Sequence, residues 1–321
     1  MAGEIQVSKL VTDARDGNLE EVRNALLRTY PAPPAEDDAD QGGDEEDSSP
    51  SEEHLAVALW AACAQGHEHI AAELLQHGAD LDYIDDTGFT ALLWAVEASE
   101  LGCVKLLIEA GADVNAHTET GATPLIMACD LSHPAQDMQI ACALVEAGAD
   151  VNKADSQGAA ALSFAAEAAF APTVAMLLEA GARVDAADEG KQTPLLRVAE
   201  YGRTTGEPDG PDAVKVAELL IAKGADVNAV DEEGDTPLIL AVKQLSAGLV
   251  ELLVSKGADV TTSNHAGETV ASVVEAKRLS CFLPEEKAAL EKIAAACKTT
   301  VSTKSEGVRL GADLARRKRR R

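Results

Sequence analysis

Aromatic residues are scarce: two Trp, three Tyr and four Phe in 321 residues, 3% of the chain, although 46% of it is hydrophobic. A core so poor in rings has to be built from Ala, Leu and Val, which suits closely packed helices in an extended array better than one large globular core. Long apolar runs are also missing. No segment approaches the roughly 18 apolar residues of a membrane span, and the N-terminal MAGEIQVSKL lacks the apolar stretch of a secretory leader. The six cysteines, Cys63, Cys103, Cys129, Cys142, Cys281 and Cys297, include no CxxC pair. Most of them fall among apolar residues of expected helices and read as small buried hydrophobes in a reducing compartment. These absences predict a soluble, intracellular protein.

Positive charge is the third shortage. Lys and Arg total 27 against 55 Asp and Glu, a net charge of −28. The imbalance is uneven: residues 1–53 carry 15 acids and 4 bases, 54–297 carry 38 and 14, and 298–321 carry 2 and 9. An acidic excess of this size repels nucleic acid and anionic membrane and favours basic proteins or peptides as partners; acidity maintaining solubility alone is the simpler alternative.

What the chain has in abundance is repetition. The tripeptide GAD recurs from Gly78, Gly111, Gly148, Gly224 and Gly257, with GAR at Gly181; a further GAD at Gly311 follows no expected helix pair and reads as coincidental. The steps are 33, 37, 33, 43 and 33 residues, a period of 33 interrupted twice. Within one period, Thr236 is placed to cap a helix with Pro237 in its first turn, where a missing N–H costs nothing. Leu238, Ala241 and Val242 follow at helical spacing. A break near Ser246–Gly248 leads to a second helix with Leu249, Val250, Leu252 and Leu253 on one stripe. Gly257 ends it as a left-handed cap, and a polar stretch from Asp259 to Gly267 makes a turn. Each unit is therefore helix, turn, helix, extended turn.

This pattern resembles the ankyrin repeat. GFTALLWAV at 88–96, GATPLIMAC at 121–129, QTPLLRVAEYG at 192–202 and GDTPLILAV at 234–242 carry the match, in register with the GAD triplets. The resemblance implies an all-α ankyrin-repeat solenoid of about eight repeats: a capping helix pair in 1–30, then units starting near 54, 86, 119, 156, 189, 232 and 265, with the solenoid spanning 54–297. The family's usual His after TPL is replaced by Trp60, Leu93, Ile126, Ser163, Leu196 and Ile239, so its hydrogen bonds must be missing or replaced. In the sixth unit the turn glycine has slipped to Gly190, leaving Lys191 in its slot. Arg197 there takes a usually apolar position, predicting a locally looser unit.

Residues 31–53 hold ten acids and no base and read as a disordered acidic loop, either solubilising or a docking site for a basic partner. Four residues are added around 130–138 and ten around 203–212, both expected in the turn between the two helices of a unit. The tail 298–321 ends in Arg316, Arg317, Lys318, Arg319, Arg320 and Arg321, an import signal, a phosphate-binding tail or an intramolecular counterweight to the acidic body. Location is thus read as cytoplasmic, with nuclear import through the tail as an option.

No catalytic, cofactor or metal constellation stands out. His67, Glu68 and His69 lack the four-residue His spacing of a zinc helix, and GH at 66–67 fits the ankyrin inter-helix turn. The expectation is a protein that is not an enzyme and needs no cofactor: a monomeric scaffold or adaptor for a protein partner with a basic surface, binding neither nucleic acid nor membrane through its acidic body. Alternatives are an acidic escort or inhibitor of a basic nuclear or ribosomal protein, and a non-catalytic subunit of an enzyme complex. The family resemblance implies that positions just past TPLHxAA and the turn residues beside DxxG face the partner. These are Glu97, Asp130, Glu167 and Glu200, followed by Lys243, and the turn acids Asp86, Glu119, Glu189, Glu232, Glu233, Asp235 and Glu268, with Phe89 and Tyr201 as aromatic anchors. At about 10 Å spacing the four helix-end carboxylates would act nearly independently.

Overall fold

The computed structural model describes residues 2–29, 52–130, 134–202, 212–280 and 286–298. Most of the acidic segment 31–53 and of the tail 298–321, together with 203–211 and Cys281, lies outside them. The described chain is helical apart from isolated bridge residues, such as the pair Ser263 and Thr269, and divides into two compact units, Met1–Ser156 and Gln157–Arg321.

The first unit holds α1 (Ala2–Arg15), α2 (Leu19–Thr29), α3 (Glu52–Cys63), α4 (Glu68–Gln76), α5 (Ala91–Glu97), α6 (Leu101–Glu109), α7 (Pro124–Cys129) and α8 (Pro134–Glu146). Odd helices pack on odd and even on even along the stack, and each odd helix also packs on the even helix that follows it. The second unit repeats the scheme with α9 (Ala161–Glu167), α10 (Ala171–Glu179), α11 (Pro194–Tyr201), α12 (Ala213–Ala222), α13 (Pro237–Lys243), α14 (Ala247–Ser255) and α15 (Val270–Ser280), and a further helix, α16 (286–298), follows.

Local chemistry sets the helix starts. Thr90, Thr123, Thr193 and Thr236 adopt extended backbone, and each hydroxyl accepts the N–H three residues on, at 3.2–3.4 Å. This satisfies a donor that the first turn leaves without a partner. Ala160 holds the same slot before α9 and offers no side-chain cap. Turn backbone of one repeat is tied to the next: Asn115 Oδ1 accepts from Asp150 N, and Asn228 Oδ1 from Asp259 N, both at 2.8 Å.

Leu and Ala fill the interior, as the shortage of rings requires. Leu59, Leu74, Leu92, Leu107, Leu125 and Leu144 are fully buried in the first unit, and Leu162, Leu177, Leu195 and Leu220 in the second; each such side chain contributes about 1.5–3 kcal/mol. Cys63, Cys103 and Cys129 are buried among them, while Cys142 and Cys297 are partly exposed. A side-chain hydrogen bond with Cys103, and then burial, push the Cys63 thiol far up. At the His slot, Trp60 Nε1 and Ser163 Oγ are buried without a protein partner, so there the family's side-chain hydrogen bonds are missing rather than replaced.

Two sequence expectations need correction. The four residues added near 130–138 lengthen a helix instead of a turn: α8 has 13 residues where α6 and α10 have 9, because Pro134 starts the helix a turn early. Arg197 does not loosen its unit; its guanidinium is bonded on two sides, as described below. Lys191, in the vacated glycine slot, does adopt the left-handed conformation at φ 58°.

Candidate partner-binding face

The candidate face is made of the C-terminal ends of the odd helices and the extended turns. In the first unit Glu97 ends α5 and Asp130 caps α7, both exposed, and the turn acids Asp86 and Glu119 are exposed as well. Phe89 is half-buried against Trp94, with ring centroids 5.0 Å apart. The indole of Trp94 donates to Asp85 Oδ2 at 2.9 Å, and Asp85 Oδ1 accepts from Thr87 and Phe89. Burial disfavours the Asp85 anion, but these donors together overcome it and hold the carboxyl below its ordinary range.

In the second unit Glu189, Glu232 and Glu233 are exposed on the turns, and Tyr201 is 51% exposed at the end of α11. The other predicted acids are engaged. Arg197 Nη1 lies 2.6 Å from Glu167 Oε2 and Nη2 lies 2.6 Å from Asp188 Oδ2, with the guanidinium 5.6 Å from the centroid of Phe164. Burial alone would lower the Arg197 pKa, yet the two carboxylates raise it. Glu200 accepts from Gln192 Nε2 at 3.3 Å. Burial pushes its carboxyl up, a hydrogen bond from Tyr201 opposes this, and Asp231, Glu233 and Asp235 add to the rise.

Asp235, expected on the exposed turn surface, is only 4% exposed. It accepts from Lys243 Nζ at 2.5 Å and from Asn264 Nδ2 at 2.7 Å, so the fold uses it internally. Lys243 also pairs with Glu268 at 3.3 Å, so the base expected on the face is held by two of the protein's own carboxylates. The four helix-end carboxylates therefore differ: Glu97 and Asp130 are exposed, while Glu167 and Glu200 are bonded within the protein. Sequence reasoning missed Asp188, Gln192 and Asp231 as members of this network. The signal available was spacing: Asp188 precedes Arg197 by nine positions, as Asp85 precedes the indole donor Trp94.

Residues 45–118 and 185–264 match the family description "Ankyrin repeats (3 copies)", and residues 120–156 match "Ankyrin repeat". The chain belongs to the ankyrin-repeat family. Among solved structures it is similar to the ankyrin repeat domain of Bcl-3, described as a unique member of the IkappaB protein family, at 29% identity and TM-score 0.56, covering 67% of this chain and 92% of that one. It is also similar to the human ASB11 ankyrin repeat domain, at 25% identity and TM-score 0.58, covering 73% and 96%. An ankyrin repeat domain from Acinetobacter baumannii AYE gives 30% identity and TM-score 0.56, covering 63% and 98%. Among curated proteins, 63 residues are 44% identical to delta-latroinsectotoxin-Lt1a of Latrodectus tredecimguttatus, and 62 residues are 39% identical to the ankyrin repeat domain-containing protein SAT10 of Stachybotrys chartarum. The matches span 5% and 3% of those proteins. Ankyrin-repeat domains generally mediate protein–protein interaction and typically serve as non-catalytic scaffolds. No helix among the described residues is long and apolar enough to cross a membrane.

Proposed function

We propose that this ankyrin-repeat protein is a non-catalytic interaction scaffold, and that its helix-end and turn acids hold a protein partner with a basic surface or segment. The observation that carries this reading is the set of exposed carboxylates Asp86, Glu97, Glu119, Asp130, Glu189, Glu232 and Glu233 on the partner-facing positions of the family. A net charge of −28 adds long-range attraction for a cationic partner. The basic run Arg316–Arg321 competes for the same acids from within the chain.

The test reverses exposed acids of this face. A variant with Glu97→Lys, Asp130→Lys, Glu189→Lys and Glu232→Lys should keep its helical circular dichroism and lose salt-sensitive capture of basic proteins. Deleting 316–321 should strengthen capture by the unaltered face. Undiminished capture by the folded reversed protein would remove this face as the site.

A further inference from the structure

Nine aromatic residues serve the whole chain, and four of them, including both tryptophans, lie within residues 60–94. They form two ring pairs in the first unit. Trp60 of α3 meets Tyr83 with centroids 5.3 Å apart and planes tilted by 37°, and Phe89 meets Trp94 of α5 at 5.0 Å and 41°. One turn connects the pairs. Asp85, two residues after Tyr83, accepts the Trp94 indole N–H at 2.9 Å, and the Tyr83 hydroxyl bonds to Glu53 at the start of α3.

Packing alone does not account for this concentration. The interior is filled by Leu and Ala, and a ring that serves it is closed off, as Phe170 is at 6% exposure. Trp60, Tyr83, Phe89 and Trp94 are each partly open to solvent, and Ile84, beside Tyr83 on the same turn, is 57% exposed. The charge around them is of one sign. Residues 51–104 hold ten Asp and Glu and no Lys or Arg, and Glu53, Asp82, Asp86 and Glu97 among them are exposed. Arg23, which reaches this stretch from α2, is already paired with Glu73 at 3.1 Å.

Open rings attract a cation over their faces, and carboxylates at the rim accept its N–H groups. The second unit contains this combination within the chain: the Arg197 guanidinium lies 5.6 Å from the Phe164 centroid and bonds to Glu167 and Asp188. We propose that Trp60, Tyr83 and Ile84, rimmed by Glu53, Asp82 and Asp86, form a docking surface for an arginine-bearing segment of a protein partner, with the guanidinium over the Trp60–Tyr83 pair. Arginine matches better than lysine, because a guanidinium is planar, stacks on a ring face and is more weakly hydrated than an ammonium. Ile84 gives the aliphatic stem of the incoming residue an apolar contact. The anchor rests on the scaffold reading above and deepens it: net charge draws the partner to the acidic face, and the rings fix where it is held and by which residue type.

Both tryptophans of the chain stand in this cluster, so the tryptophan emission of the full chain reports on this place alone. The probe is a capped hexa-arginine peptide, compared with hexalysine of equal charge, with binding followed by emission and by calorimetry. The arginine peptide should change the emission saturably and bind about two- to fivefold more tightly than the lysine peptide, the range of an exposed cation–π contact. Tyr83→Leu, which keeps apolar bulk on the turn and removes the ring, should abolish that preference at unchanged circular dichroism. Tyr83→Phe, which keeps the ring and loses only the hydroxyl, should retain it. Equal affinity for the two peptides would overturn the proposal, as would a preference that survives Tyr83→Leu or disappears in Tyr83→Phe. Should Tyr83→Leu fail to fold, calorimetric binding of the arginine peptide to the parent without a change in emission overturns it instead. Capture lost by the reversed-face variant with no arginine preference removes this anchor and leaves the broader reading; a preference abolished by Tyr83→Leu with capture untouched by reversal does the opposite.

Discussion

Ser99 donates its hydroxyl to Asp137 Oδ1 at 2.6 Å, joining the inter-helix turn after α5 to the added first turn of α8. Ser99 sits at φ 57°, a left-handed conformation that costs a non-glycine residue about 1–2 kcal/mol. Asp137 is 4% exposed. Ser99→Gly relieves the backbone but deprives a buried carboxylate of a donor, a loss of about 1.5–3 kcal/mol. The net expectation is a destabilisation of about 1 kcal/mol, read as a lower urea midpoint; a rise in the midpoint would show that strain outweighs the bond.

Lys191 should behave oppositely. It stands at φ 58° where the other repeats place Gly88, Gly121, Gly158, Gly234 and Gly267, all at positive φ, and it is exposed, so little packing is lost with its side chain. Lys191→Gly should stabilise the protein by about 1 kcal/mol. An unchanged or lower midpoint would mean that the Lys191 side chain contributes more than its surroundings suggest.

Much of the architecture was legible because it is local. Thr193 and Thr236 cap helices through atoms three residues away, and Gly224 and Gly257 turn the chain within a few bonds, so spacing alone locates them. Arg197 was misread because its partners Glu167 and Asp188 lie thirty and nine positions away, and a charged residue in an apolar slot reads as a defect until repeats are stacked. Asp235 reads as a surface turn residue for the same reason: only stacking brings Lys243 and Asn264 onto it. The lengthening of α8 was hidden by the low helix propensity of Asp130–His133 just ahead of Pro134, which marks a loop and a helix start alike.

The uncapped α9 offers a gain. Ala160 has the extended φ −100°, ψ 168° of the threonine caps, and the Thr residues of that slot are themselves buried, so the scaffold accommodates the larger side chain elsewhere. Ser163 N already donates to the Ala160 carbonyl at 2.8 Å, so Ala160→Thr, whose hydroxyl would share that donor, should add less than the roughly 1 kcal/mol of a full cap. Hydrogen exchange at Ser163 should slow with it; unchanged exchange would mean that the hydroxyl turns away from the helix.

Titration should separate two sets of acids. Asp85 is held below its ordinary range by hydrogen bonds that overcome burial, so the stability it contributes is present above its unfolded pKa, about 3.9, and is lost as pH falls through its folded value. Glu200 and Asp231 are raised, first by burial and then by Glu233 and Asp235, so what they contribute is present below the ordinary carboxylate range and lost as pH rises through their folded values. Asp231→Asn should therefore gain stability relative to the parent at pH 7 more than at pH 4. The comparison of urea midpoints at the two values checks it, and a larger gain at pH 4 would reverse the assignment.

Arg197 holds two carboxylates of the second unit, Glu167 and Asp188. Its side chain is 16% exposed, and those of Asp188 and Glu167 are 7% and 40% exposed. Removing one member of a fully buried pair costs about 3–5 kcal/mol, because the remaining charge is left without compensation. The greater exposure of Glu167 moderates this, so Arg197→Met, which keeps most of the volume over Phe164, should cost about 2–4 kcal/mol. Most of that loss belongs to the stranded Asp188 anion rather than to the attraction itself. Asp188→Asn added to Arg197→Met should then recover part of the loss, since an amide needs no counter-charge and its Oδ1 still accepts the Gln192 N–H that Asp188 accepts at 2.9 Å. A double-mutant cycle should give a coupling of about 1–3 kcal/mol, smaller at high salt only to the extent that Glu167 contributes. If Arg197→Met raised the urea midpoint and the cycle closed with no coupling, the guanidinium would be a burden to the fold, and the apolar residue usual at this position would be its natural occupant.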